Sequence, residues 1–230
     1  AYHGKPAIKA AILAQLAHHR AADEIVKGRY WENGKGCAVG CTLHSSNHAE
    51  YETRFGIPQM LARLEDCIFE GLPNAIAQLW PERFMSAILP GTDLSRIGWQ
   101  FQYWLLTDET VNPGIKHPIV ADAVAQCAGI ILQLAKGEKI NESAARSAES
   151  AARSAARNAE SATWSAARSA AESAESAARS AESAARSAAR NAARNAARNA
   201  ESATWSAARS AESATYEKMA DKLIELISAI

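Results

Sequence analysis

Apolar residues fall at helical intervals along most of this chain. In Pro6 to Lys27, Ile8, Ile12, Leu13, Leu16 and Ala17 share one face, which predicts an amphipathic helix. Further helices are expected from Pro58 to Glu70, Asn74 to Trp80, Pro81 to Ile88 and Asp93 to Leu106. Pro81 suits a first helical position and Asp93 suits an N-cap. Ile119, Val120, Ala123, Val124, Cys127, Ile130, Ile131 and Leu134 predict a helix running from His117-Pro118 to Lys136. Only Gly28 to Ser45 breaks the helical rhythm. With Asn33-Gly34 at its turn, it reads as an irregular loop or a short hairpin.

From Ser143 to Ser213 the pattern becomes a repeat. Twenty Ser or Asn residues, each followed by Ala, recur at a mean spacing of about 3.68, close to eleven residues per three turns. On a helical projection the Ala column faces away from an almost wholly charged column that includes Arg146, Glu149, Arg153, Arg157 and Glu160. A continuous helix from about Asn141 to Ser228 would be roughly 130 Å long. A hairpin bending at Asn191, Asn195 and Asn199 is the alternative. Ala is 31 of the 73 residues from Ser143 to Thr215. Each buried methyl contributes under about 1 kcal/mol, so a long seam is needed for stable packing. The eleven-residue period favours straight or slightly right-handed packing.

The fifteen residues Ala156 to Ala170 recur unchanged at Ala197 to Ala211. Trp164, Trp205 and Tyr216 interrupt the charged column, as docking points for a neighbouring subunit or for the globular part. Beyond Tyr216, Met219, Leu223, Leu226 and Ile230 follow a 4-3-4 spacing, the seam of an ordinary helical bundle. The expected organisation is a helical head at 1–138, a repeat stalk at 139–216 and a hydrophobic helical end at 217–230, an all-α fold packing as a bundle or coiled coil.

Composition narrows the function classes. All twelve Gly, seven Pro, four Cys and six His precede residue 138. Charge balances at 25 basic and 25 acidic residues, with no basic patch, so nucleic acid is not an expected partner. No run approaches eighteen apolar residues, so no membrane span is expected. Sparse cysteine and the lack of a signal-peptide pattern give a cytoplasmic expectation.

One constellation could carry chemistry. Cys37, Cys41, His44 and His48 form C-x3-C-x2-H-x3-H, and thiolate and imidazole are zinc ligands. The spacing is shorter than compact zinc sites use, and it differs from the haem pattern C-x-x-C-H. The competing reading has Gly36 and Gly40 letting a tight loop pack, with the histidines solvated or hydrogen-bonded. A nucleophilic Cys37 or Cys41 with His44 or His48 as base lacks a defined orienting group, and no catalytic set is assigned. His18 and His19, adjacent on the first helix, are expected to be solvated or capping.

The head sequence YHGKPAIKAAILAQL and GCAVGCTLHS, followed by SAARSAES repeats, resembles a group of uncharacterised bacterial and phage-associated hypothetical proteins with variable repeat number. The resemblance implies a two-part architecture and transfers no site. The function expected from the residues is structural: a head carrying a repeat helix that drives homo-oligomer or filament formation. Two alternatives stand beside it. One is a metal-binding or cysteine-dependent enzyme in the head. The other is an ice- or surface-binding helix, against which the scarcity of Thr and the alternating charge argue.

Overall fold

The computed structural model describes residues 1–138, 143, 147, 150–155, 157–158 and 189–229. It is mostly helical, at 69% helix and 3% strand. Helix α1 (Pro6–Ala21) is followed by β1 (Trp31–Glu32), β2 (Lys35–Gly36) and α2 (Ala38–Leu43). Then come α3 (Gln59–Gly71), α4 (Asn74–Ala77), α5 (Trp80–Ala87), α6 (Ile97–Thr107) and α7 (Ala121–Lys136). The long C-terminal helix, α8, spans Ala189–Ser228. No helix among the described residues is long and apolar enough to cross a membrane.

Several boundaries differ from the sequence reading for local reasons. Helix α1 stops at Ala21, six residues early, because Asp23 adopts a left-handed backbone with φ 53°. Ile25 can then bridge to Gly36. Asp93 does not cap α6. Its carboxylate accepts from the Ser95 amide at 2.9 Å in a local turn, and the helix begins at Ile97. Gly28–Ser45 resolves into the hairpin and α2. Asn33 and Gly34 both have positive φ, 52° and 79°, as a two-residue turn matching strand twist requires.

The core gathers Leu16 of α1, Phe69 of α3, Trp80 and Phe84 of α5 and Phe101 of α6 around Tyr2 and Tyr51, all fully buried. Glu65 of α3 is fully buried among them. Its backbone carbonyl accepts from Trp80 Nε1 at 3.0 Å, and its Oε2 accepts from the Tyr51 hydroxyl at 2.5 Å. Oε1 is buried without a hydrogen-bond partner. Burial pushes the Glu65 carboxyl up to about 8, with the Tyr51 bond opposing the shift and Asp66 adding to it. At neutral pH the side chain is therefore chiefly a neutral acid, the form that a dry environment tolerates.

The chain's last turns complete this core. Ala220, Leu223 and Ile227 of α8 are buried with the head residues, and Tyr216, Met219, Ile224 and Leu226 pack partly buried against them. Helix α8 meets α3, α5 and α6, and Arg83 of α5 pairs with Asp221 at 2.7 Å. Tyr216 lies across Gly71, where a β-carbon would fall inside the ring. The apolar seam read at Met219, Leu223 and Leu226 is thus used within one chain. Ile230 lies outside the described residues.

Leu223→Ala should destabilise the whole head by about 2–5 kcal/mol, the range for a truncated core leucine. Urea denaturation followed by tryptophan fluorescence would measure it, and an unchanged midpoint would place α8 outside the core. For Glu65, folding favours the protonated form, so its contribution is full below the unfolded carboxyl value near 4.5 and declines as pH rises toward about 8. Glu65→Gln should lack that decline. Its stability relative to the parent should increase between pH 5 and pH 8.5, as read from urea midpoints at the two pH values.

Candidate functional site

The hairpin and α2 build a cavity by close backbone approach. Gly36 and Gly40 lie under the Tyr30 carbonyl, and a β-carbon at either position would overlap its oxygen. Every residue of α2 is buried, which leaves its terminal carbonyls away from water. Gln15 Nε2 donates to the Cys41 and Thr42 carbonyls at 2.6 and 3.0 Å, and Arg54 Nη1 donates to the Leu43 carbonyl at 2.7 Å. At the other end Cys37 is the N-cap, with its sulfur accepting from the Gly40 amide at 3.5 Å. His44 terminates α2 in a left-handed conformation, φ 55°.

Helix α3 supplies the facing wall. Asp66 and Glu70, four residues apart, project from one side of it. Their carboxylate oxygens and Cys37 Sγ lie within 4.8 Å of one another. With Gly28, Arg29 and Tyr30 they line a cavity of about 240 Å³. The Gly28 amide donates to both Glu70 oxygens at 3.0 and 3.1 Å. His48 Nε2 lies 3.4 Å from Asp66 Oδ2, and the Tyr30 ring stands edge-on to His48 at 5.5 Å. Asp66 Oδ1 is buried and lacks a well-formed hydrogen bond. Among the described residues no Lys or Arg pairs with either carboxylate, and Lys27 is engaged by the Glu70 and Leu72 carbonyls. Burial, then the facing Asp66, pushes the Cys37 thiol far above its ordinary range.

A second polar cluster lies on the other side of α2. Glu24 Oε2 accepts from His19 Nδ1 at 2.6 Å, and His19 Nε2 meets His44 Nε2 at 2.8 Å. His44 stacks on Trp31 with centroids 4.3 Å apart and planes 18° from parallel. Burial, then the neighbouring His19, lowers the His44 pKa, so its neutral form is favoured. His19 itself is 6% exposed, contrary to the expected solvated role, because the hairpin folds Trp31 over it.

The four residues singled out in the sequence are thereby distributed. Cys37 enters the cavity, and His48 buttresses Asp66 from beside it. Cys41 turns inward, its thiol donating to the Gly36 carbonyl at 3.3 Å and pushed up to about 12 by burial. His44 joins His19 and Glu24. Within the described residues the convergent donor group is Cys37, Asp66 and Glu70. Asp66 and Glu70 were missed, although their four-residue spacing on an amphipathic helix was a readable signal. Of the proposed assembly aromatics, Trp164 lies outside the described residues. Trp205 lies on α8 with its side chain outside them, and Tyr216 docks on Gly71.

Gly40→Ala should force Tyr30 off α2 and cost about 1–3 kcal/mol, as overpacking does. A thermal melt would show it, and an unchanged melting temperature would contradict the close approach. Comparison of the chain with protein-family models, curated proteins and solved structures finds no match in any of the three.

Proposed function

We propose that this chain is a structural, self-assembling protein: a helical head that holds both ends of an Ala/Ser repeat tract, whose small-residue face packs against tracts of other copies. The carrying observation is the state of α8 before it reaches the head. Its 40 residues make a helix of about 60 Å. Yet Ala207 and Ala211, both in the repeat's Ala column, are exposed, and the packed segment begins only around Tyr216. An exposed column of methyl groups on a long helix stabilises little until another helix covers it.

The earlier part of the tract supports the same division of faces. Ala155 is 8% exposed, while Arg153, Ser154, Arg157 and Asn158 are exposed. There one Ala of the column is covered while the neighbouring Ser and charged positions face water. Lys136 and Lys222 line one groove beside α6, so the tract starts and finishes on the head. We read the tract as an excursion that returns to the head. Between Ala189 and Ser228 the chain is helical through Asn191, Asn195 and Asn199, so the alternative hairpin does not bend there. Residues 143, 147, 150–155 and 157–158 are also helical, and the other residues of the expected continuous helix before 189 lie outside the described ones. Arg alternating with Glu gives copies a mutually tolerant surface, and no nucleic acid or membrane is required.

Truncation at residue 140 would strip Leu223 and Ile227 from the core, so it cannot test this reading cleanly. Deleting residues 156–196 can. It removes 41 residues and joins Ala155 to Ala197, so that Ala155 is followed by the same fifteen residues as before. Sedimentation equilibrium over a range of concentrations should show the full chain associating and the shortened chain shifted toward monomer, with unchanged thermal stability of the head. A monomeric full chain, or identical association of the two, would refute the proposal.

A further inference from the structure

We propose that the cavity between the loop at 28–30 and α3 is a zinc-class metal site, with Cys37 Sγ, Asp66 and Glu70 as its three protein ligands and the fourth position open to the cavity. The donor set is a soft thiolate with two carboxylates. A borderline cation such as Zn²⁺ accepts that mixture, whereas Mg²⁺ and Ca²⁺ prefer oxygen alone. In a tetrahedral site with bonds of about 2.0 Å to oxygen and 2.3 Å to sulfur, ligand atoms stand roughly 3.3–3.5 Å apart. The three present atoms lie within 4.8 Å of one another, so side-chain adjustments of about an ångström close the site.

Three features set this group apart from incidental acidity. Cys37 is 1% exposed and lines the cavity from the edge of the apolar core. Asp66 Oδ1 is buried without a hydrogen bond of good geometry while the carboxylate faces the Cys37 thiol, and a cation in place of the thiol proton would satisfy that oxygen. Both carboxylates also have an outer partner that fixes orientation, the Gly28 amide for Glu70 and the His48 ring for Asp66. On binding, the sulfur–hydrogen bond of Cys37 breaks, its proton leaves to solvent, and the thiolate lone pair forms the metal–sulfur bond. One thiolate and two carboxylates then face a divalent ion.

The set differs from Cys37, Cys41, His44 and His48, and the difference is testable. Chelator-treated full-length protein would be titrated with Co²⁺, followed by competition with Zn²⁺. Thiolate-to-cobalt charge transfer in the near ultraviolet should saturate at one ion per chain and disappear on adding Zn²⁺. Cys37→Ser should abolish the band, and Glu70→Gln, at an exposed position that should leave folding intact, should weaken binding tenfold or more. Cys41→Ser and His44→Gln should leave the band and its midpoint unchanged. No band in the parent protein, a band surviving Cys37→Ser, full affinity in Glu70→Gln, or loss of the band in folded Cys41→Ser would each overturn the assignment.

Discussion

Helix α2 is six residues long and buried on every side, so its own hydrogen bonds cannot hold it. It persists because the Tyr30 carbonyl rests directly on the bare Cα atoms of Gly36 and Gly40, and because Gln15 and Arg54 reach in to satisfy its last carbonyls. Much in the head follows from that clamp. It sets Cys37 in the wall of the cavity and carries Tyr30 to the His48 ring. It also turns His44 back toward His19 and Trp31. A side chain at either glycine would push the Tyr30 backbone away and disturb both polar clusters together.

Adjacent positions on α3 show how finely the polar groups are sorted. Glu65 and Asp66 differ by one residue and hence by about 100° around the helix. One points into the core, where desolvation keeps it mostly protonated and a tyrosine hydroxyl supports it. The other points to the cavity, where it meets a thiol and an imidazole. The same helix therefore carries one acid whose role is internal to the fold and two whose chemistry is directed outward.

The helices were legible in the sequence because their apolar periodicity is strong and Pro and Gly punctuate it. Where reading failed, tertiary contacts outweighed local signals. His19 looked like one of a solvated pair, but the hairpin covers it. Cys41 and His44 looked like neighbours of Cys37, but inward rotation of the thiol and a left-handed residue send them elsewhere. The acidic half of the cavity comes from α3, some thirty residues later, and no short motif announces such a meeting. The terminal seam at Leu223 was recognised as a packing face, yet periodicity carries no address and could not say that the partner was the chain's own head.

That return has an evolutionary consequence. Helices α7 and α8 both pack on α6, so the repeat occupies the position of an insertion whose two joints are fixed by the head. Because the fifteen-residue repeat is offset by 41 residues, loss of that interval leaves the sequence on each side of the join unaltered. Units can therefore be gained or lost by unequal recombination while every core contact is preserved. The length of the repeat becomes a heritable variable that drifts independently of the head's stability, without renegotiating the fold.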